Sequence, residues 1–168
     1  GAYADEEQIK EEYLALARQF ALLGADAIVF ETFADTDLIL DVVKELRKES
    51  NIFVWAQFSV NQLGYSNAGI SARTLLAEAA ACEEIDAVGL NCGVGPGHMA
   101  QILSKLELPE NMIVSALPNA SYPKMIQDRI VFLENMDYFA EKLTDIKALG
   151  VSILGGCCGT NPEYIRKT

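Results

Sequence analysis

Helical patterns and short apolar runs alternate along most of this 168-residue chain. The first helical pattern places apolar side chains at steps of three and four residues and ends at Gly24. An apolar run over residues 27–30 follows at once and is typical of a buried strand. Because this unit recurs, the sequence predicts βαβ units that build a parallel sheet. The members of the first helical stripe are Ile9, Tyr13, Leu16, Phe20 and Leu23.

The pattern predicts five strands, at residues 27–30, 52–56, 87–90, 112–116 and 151–154. Helices are predicted between them, the second capped by Asp35 or Thr36 and the later ones over 71–84, 97–106 and 137–149. Residues 117–136 contain two prolines and no clear period, so they are predicted to be irregular. The predicted fold class is therefore α/β.

Two architectures fit five parallel strands: a doubly wound sheet and part of an eight-stranded barrel. Both place their chemistry at the carboxyl ends of the strands, so this placement does not choose between them. In either architecture, the polar and reactive residues that follow the five strands are predicted to lie together at the carboxyl ends of the strands. In chain order these residues are Glu31-Thr32, Gln57, Asn91-Cys92, Pro118-Asn119 and Cys157-Cys158.

Charge and composition exclude several classes of partner. The net charge is −11 and the 13 lysines and arginines are scattered, which disfavours nucleic-acid and anionic-membrane surfaces. No apolar run is long enough to cross a bilayer, and no signal-peptide pattern opens the chain. Four cysteines without a secretory signal fit a reducing compartment, so we predict a cytoplasmic protein.

The adjacent pair Cys157-Cys158 lies between glycines directly after the last predicted strand, and Cys92 ends an earlier one. If both strands point the same way, three sulfurs converge. Three thiolates around Zn²⁺ leave one tetrahedral position open, as in catalytic zinc sites. Such a site carries a charge of −1, and a substrate thiol bound as its thiolate would make it −2. An electron-rich centre of this kind suits alkyl transfer to sulfur better than hydrolysis.

Other interpretations of the cysteines stay open at this point. The pair is compatible with a purely structural role or with a vicinal-dithiol redox protein. Cys82, in the alanine-rich helix, is predicted to be a small buried side chain. Cys92 lies 65 positions before Cys157, so no compact metal-binding signature decides the matter.

Four motifs resemble the homocysteine S-methyltransferase family: "GADAIVFETFADTDLIL", "GLNCGVGPGHM", "ALPNASYP" and "GGCCGTNPEYI". The resemblance implies a zinc-dependent (β/α)₈ barrel that transfers a methyl group to homocysteine, giving methionine. It implies that Cys92, Cys157 and Cys158 bind the zinc and that Glu31 holds the substrate ammonium. Asn91 is predicted with Glu31 to bind substrate. The methyl donor stays open, and a cobalamin or folate donor is compatible with the family.

The resemblance also sets an expectation about completeness. The family's glycine-rich first strand has no counterpart here, and about five strand–helix units are too few to close an eight-stranded barrel. We therefore expect residues 1–168 to be the C-terminal part of a single barrel domain. An open barrel exposes sheet edges, so the missing N-terminal part or self-association is the expected partner. A non-catalytic zinc-binding fragment remains an alternative.

Overall fold

The computed structural model describes residues 6–132 and 135–168. Its main sheet has five parallel strands in the spatial order β1-β2-β3-β4-β7. A doubly wound sheet reverses its strand order part-way, whereas this order is progressive, as in a barrel. The predicted α/β class and five-stranded parallel sheet are therefore confirmed. The strands are β1 (Ala27–Phe33), β2 (Phe53–Phe58), β3 (Ala87–Asn91), β4 (Ile113–Leu117) and β7 (Ile153–Leu154).

Helices connect the strands, with ends that differ from the predictions by a few residues. The helix predicted over 71–84 ends at Ala80, so Cys82 is buried in the turn after it and not in the helix. Thr36 is the N-cap residue of the second helix, but its hydroxyl donates to Glu78 rather than capping the helix. Within the described ranges, no helix has the length and apolar character needed to cross a membrane. The helices are α1 (Glu6–Leu22), α2 (Asp37–Arg47), α3 (Ala72–Ala80), α4 (Pro96–Leu103), α5 (Met136–Ala148) and α6 (Pro162–Lys167).

The two faces of the sheet differ in chemistry. Alternate residues of β2, such as Val54 and Phe58, are buried in the core formed with the helices. The other face carries polar groups: the hydroxyl of Ser115 accepts hydrogen bonds from Trp55 at 2.8 Å and from Gln57 at 3.1 Å. A barrel turns this second face toward its interior, so these polar residues line the lumen side.

The described residues leave both edges of the sheet and an apolar face of α1 uncovered. Strands β1 and β7 lie at opposite edges, and each pairs with a strand on one side only. Helix α1 buries Ala17 but leaves much of the predicted stripe exposed, including Leu16 and Phe20. The stripe predicted the helix correctly. A partner that covers these surfaces stays a prediction.

The interval predicted to be irregular contains a hairpin that sequence reasoning missed. Strands β5 (Pro123–Ile126) and β6 (Arg129–Phe132) pair antiparallel. Most of their side chains are exposed on both faces, so no alternation of apolar and polar residues marked them. Residues 133 and 134 lie outside the described residues.

Candidate metal centre

The structure brings the three predicted sulfurs together at the carboxyl ends of neighbouring strands. Cys92 follows β3, and Cys157 and Cys158 follow β7, with β4 between these two strands. The Sγ atom of Cys158 lies 3.7 Å from that of Cys92 and 4.0 Å from that of Cys157. All three sulfurs lie within 4.8 Å of one another. Parallel strands therefore place residues 65 positions apart in one cluster.

The spacing of these sulfurs fits a tetrahedral metal ion. Zn–S bonds of about 2.3 Å that meet at the tetrahedral angle hold their sulfurs roughly 3.8 Å apart. A disulfide would require about 2.05 Å, and all three cysteines are free thiols. Among the described residues, no other group of three histidine, cysteine or carboxylate side chains meets the same spacing. Three soft donors with one open position suit zinc.

The Cys92 loop has an unusual backbone. Cys92 has a φ of 56° and Gly93 a φ of 69°, both in the left-handed region that favours glycine. Gly93 also passes so close to the carbonyl oxygen of Val60 that a Cβ atom there would collide with it. This turn aims the Cys92 sulfur at the loop that follows β7.

That second loop is held by the segment after β4. The Cys157 N–H donates to the Pro118 carbonyl at 2.8 Å, and the Ala120 N–H donates to the Cys158 carbonyl at 2.9 Å. The Thr160 hydroxyl donates to the Cys157 carbonyl at 2.7 Å. These bonds fix both backbone units that carry the adjacent sulfurs.

The structure places the two predicted substrate residues differently. Glu31 is exposed near the carboxyl end of β1. Asn91 is buried, and its side chain accepts from the Thr32 N–H at 3.0 Å and donates to the Thr32 hydroxyl at 2.9 Å. Its amide nitrogen also lies 4.0 Å from the Cys157 sulfur. Asn91 thus links the end of β1, next to Glu31, to the cysteine cluster.

Sequence reasoning missed one residue of this centre. Asn119 is buried, and its side-chain oxygen accepts a hydrogen bond from the Cys158 N–H at 3.1 Å. Its own backbone N–H donates to the Val94 carbonyl at 2.9 Å. Two signals in the sequence pointed to this residue, its position directly after the fourth predicted strand and its place in the motif "ALPNASYP", but neither assigned it a role.

The three thiols have different proton affinities. Burial raises the pKa of Cys92, but hydrogen bonds from the Gly93 N–H, Cys158, Cys157 and Asn119 outweigh it, so this pKa is lowered. Burial, together with repulsion from the neighbouring thiolates, raises the pKa of Cys157 to about 12. The pKa of Cys158 is raised by burial and by its contact with Cys92. Without metal, Cys92 therefore deprotonates first and the other two remain thiols.

Zinc affinity should depend steeply on pH. Raised pKa values mean that Cys157 and Cys158 are protonated near neutrality and must each lose a proton to bind metal. The apparent affinity should therefore fall at least about 100-fold when the pH is lowered from 8 to 7, one factor of ten for each of these two thiols. Competition with a chelator of known pH dependence measures this slope. Cys158→Ser should make the fall about ten times smaller, and an affinity independent of pH in the wild type would contradict the assignment.

The progressive parallel sheet and the three thiols at its carboxyl edge define a β/α-barrel chain with a cysteine cluster suited to a metal ion. A family model described as "Homocysteine S-methyltransferase" matches residues 1–168. The chain belongs to the homocysteine S-methyltransferase family. The resemblance seen in the sequence motifs is thereby confirmed.

Curated relatives are longer than this chain. A methionine synthase of Mycobacterium leprae is 33% identical over 150 residues, which cover 86% of this chain and 12% of that protein. Homocysteine S-methyltransferase 2 of Arabidopsis thaliana is 29% identical over 177 residues, covering 99% of this chain and 52% of the relative. The chain therefore spans about half of the plant protein and a small part of the bacterial one.

Solved structures support the fold. The metallated form of the homocysteine methyltransferase MmuM from Escherichia coli aligns with a TM-score of 0.72 at 20% identity. The alignment covers 99% of this chain and 52% of MmuM. The apo form of the same enzyme aligns with a TM-score of 0.68. These neighbours show that the five strand–helix units form an incomplete barrel.

Proposed function

We propose that this chain takes part in zinc-dependent transfer of a methyl group to the thiol of homocysteine, giving methionine. The observation that carries the proposal is the sulfur spacing of 3.7 and 4.0 Å around Cys158, which fits three of the four ligands of a tetrahedral zinc ion. Relatives named methionine synthase and homocysteine S-methyltransferase support homocysteine as the proposed substrate. Cys92, Cys157 and Cys158 are the proposed ligands.

The side chains around the cluster have separate tasks in this proposal. A zinc ion bound there supplies a position at which a fourth thiol stays deprotonated near neutral pH. Glu31 offers an exposed carboxylate that would pair with the substrate ammonium and orient the amino acid. Asn91 fixes Thr32, the residue after Glu31, relative to Cys157. The methyl donor, including a cobalamin or folate carrier, stays a prediction.

A specific observation favours this proposal over a vicinal-dithiol redox protein. A redox pair requires only Cys157 and Cys158, whose sulfurs are 4.0 Å apart. The Cys92 sulfur lies closer to Cys158, at 3.7 Å, and comes from a different strand end. A third thiol at ligand spacing has no task in a two-cysteine redox cycle, but it completes a three-cysteine metal site.

Calorimetric titration of the zinc-loaded chain with homocysteine tests the proposal. Because the thiol would bind as its thiolate, each binding event should release about one proton, seen as a dependence of the heat on the ionisation enthalpy of the buffer. Homoserine, in which oxygen replaces sulfur, is the matched ligand and should not bind. Equal binding of both ligands, or no homocysteine binding to zinc-loaded protein, would count against the proposal.

A variant of Glu31 tests the proposed role of that residue in the same titration. Glu31→Gln should weaken homocysteine binding roughly tenfold or more, because an ammonium–carboxylate pair becomes a neutral hydrogen bond. It should leave 4-mercaptobutyrate, which lacks the ammonium group, unaffected. Loss of affinity for both ligands would point to a general disturbance of the site.

A further inference from the structure

A cavity separate from the cysteines lies between the loop after β2, residues 59–71, and helix α4. Its volume is about 550 Å³, which is within the size range of small-molecule sites. None of the three sulfurs lines it. Its walls come from two neighbouring units, β2–α3 and β3–α4, so its shape does not depend on further strands of the barrel.

The loop wall of this cavity is held by hydrogen bonds within the chain. The side-chain oxygen of Asn61 accepts from the Leu63 N–H at 2.9 Å, and the Ala72 N–H donates to the Gly64 carbonyl at 2.8 Å. Gly64 lies against α4, because a Cβ atom there would be 3.7 Å from the Ile102 side chain. A ligand would therefore meet a preorganised wall and would not have to order it.

The charged groups that line the cavity are all basic. Arg73 and Lys105 lie side by side on its wall, where the Arg73 guanidinium donates to the Lys105 carbonyl at 3.0 Å. Among the described residues no carboxylate lines the cavity, and neither cation forms an ion pair. Seven of the 13 lysines and arginines do form ion pairs in this acidic chain. Two adjacent cations without a carboxylate partner favour an anionic ligand.

The same cavity has an apolar side. Leu63, Ile102 and Leu106 line it, and Leu63 is 83% exposed. A ligand that consisted of a charge alone would leave this surface in contact with water, whereas a ligand with an apolar body would cover it. The lining therefore favours an organic anion over an inorganic one.

We propose that this cavity binds a small organic anion, whose carboxylate or phosphate pairs with Arg73 and Lys105 and whose apolar body packs against Leu63, Ile102 and Leu106. The Lys105 carbonyl takes one N–H of the Arg73 guanidinium and orients it, which leaves other N–H groups for the two oxygens of an oxyanion. This inference goes beyond the proposed function and does not depend on it.

Titration with phenyl phosphate, followed by NMR of the backbone amides, tests the site. Phenyl phosphate carries an anion on an apolar ring, so it should give saturating shifts at Gly64 and Gln101, which line the cavity. Inorganic phosphate lacks the ring and should bind more weakly. Benzyl alcohol lacks the charge and should not bind. Benzoate carries a carboxylate on the same ring, so the tighter of benzoate and phenyl phosphate identifies the class of oxyanion.

Three neutralising substitutions locate the charge that binds the anion. Arg73→Gln and Lys105→Gln should each weaken phenyl phosphate roughly fivefold, because each removes one exposed cation from the cavity. Lys44→Gln is the matched control and should keep wild-type affinity. Lys44 is also exposed and forms no ion pair among the described residues, but it lies on α2 and does not line the cavity.

Several results would overturn this inference. They are a titration without saturation, saturating shifts confined to amides outside the cavity, equal weakening in Lys44→Gln and Arg73→Gln, and equal affinity for benzyl alcohol and phenyl phosphate. Each of them would leave the proposed function standing, because no residue of this cavity is a proposed metal ligand. Conversely, a chain that binds phenyl phosphate here but no zinc would lose the proposed function and keep this site.

Discussion

Replacing Cys92 by serine should lower the zinc affinity of this chain roughly 100- to 1,000-fold. The free energy of zinc binding in four-ligand protein sites, about 10–16 kcal/mol, divides into roughly 2.5–4 kcal/mol per ligand. A hydroxyl at this position does not ionise near neutral pH and is a poor replacement for a soft thiolate. Zinc content per purified chain and chelator competition measure the loss.

Cys82 provides the matched control for this experiment. It is a free, buried cysteine with a hydrogen bond to Glu84, outside the cluster. Cys82→Ser should keep wild-type zinc affinity. Suppose that Cys92→Ser kept wild-type zinc affinity, as Cys82→Ser should, while Cys157→Ser abolished zinc binding or the redox activity of the cysteine pair. The vicinal-dithiol hypothesis would then replace the three-cysteine centre. Parallel losses in Cys92→Ser and Cys158→Ser would exclude it.

Replacing Gly93 by alanine should destabilise the chain by about 3–5 kcal/mol and weaken metal binding as well. The left-handed backbone at a φ of 69° penalises any side chain, and the new methyl group would collide with the Val60 carbonyl. The neighbouring group is backbone and does not rotate away, so the Cys92 loop must shift. Denaturant unfolding measures the stability, and chelator competition measures the effect on the site.

Gly24→Ala is the matched control, because it carries the cost of a side chain on a left-handed backbone without any collision. Gly24 has a φ of 79°, and a Cβ atom there would meet nothing within 4 Å. Its substitution should cost only about 1–2 kcal/mol, from the left-handed conformation alone. It lies before β1, at the end of the strand remote from the cysteines, so metal affinity should not change. If the two substitutions had equal effects on stability and on metal affinity, the collision with the Val60 carbonyl would be avoided without any displacement of Cys92.

Apolar runs were sufficient to predict the parallel strands because β1 to β4 contain buried side chains and both residues of β7 are partly buried. The same reasoning failed for β5 and β6, since hydrophobic periodicity reports burial and this hairpin is mostly exposed. The stripe on α1 shows a second limit of the same reasoning. Its spacing predicted the helix correctly, yet Leu16 is 56% exposed and Phe20 is 47% exposed. A sequence pattern shows which surface needs a partner, but not whether that partner is present in the same structure.

The sequence predicted which cysteines form the cluster, but not the backbone conformation that brings them together. Parallel strands bring their carboxyl ends together, so convergence of Cys92 with Cys157 and Cys158 followed from topology. The left-handed backbone of Cys92 did not follow, because a non-glycine residue rarely adopts it. The contacts of Asn119 did not follow either, because they join residues from two distant loops and no spacing in the sequence predicts them.

The strands that bring the sulfurs and Asn119 together, β3, β4 and β7, are adjacent in the sheet. This contiguity confines the three sulfurs to one part of the sheet, since β1 and β2 carry none of them. If the proposed function holds, substitutions in β1, β2 or further strands of the barrel would change what binds beside the sulfurs, while the spacing of the sulfurs would stay set by β3, β4 and β7.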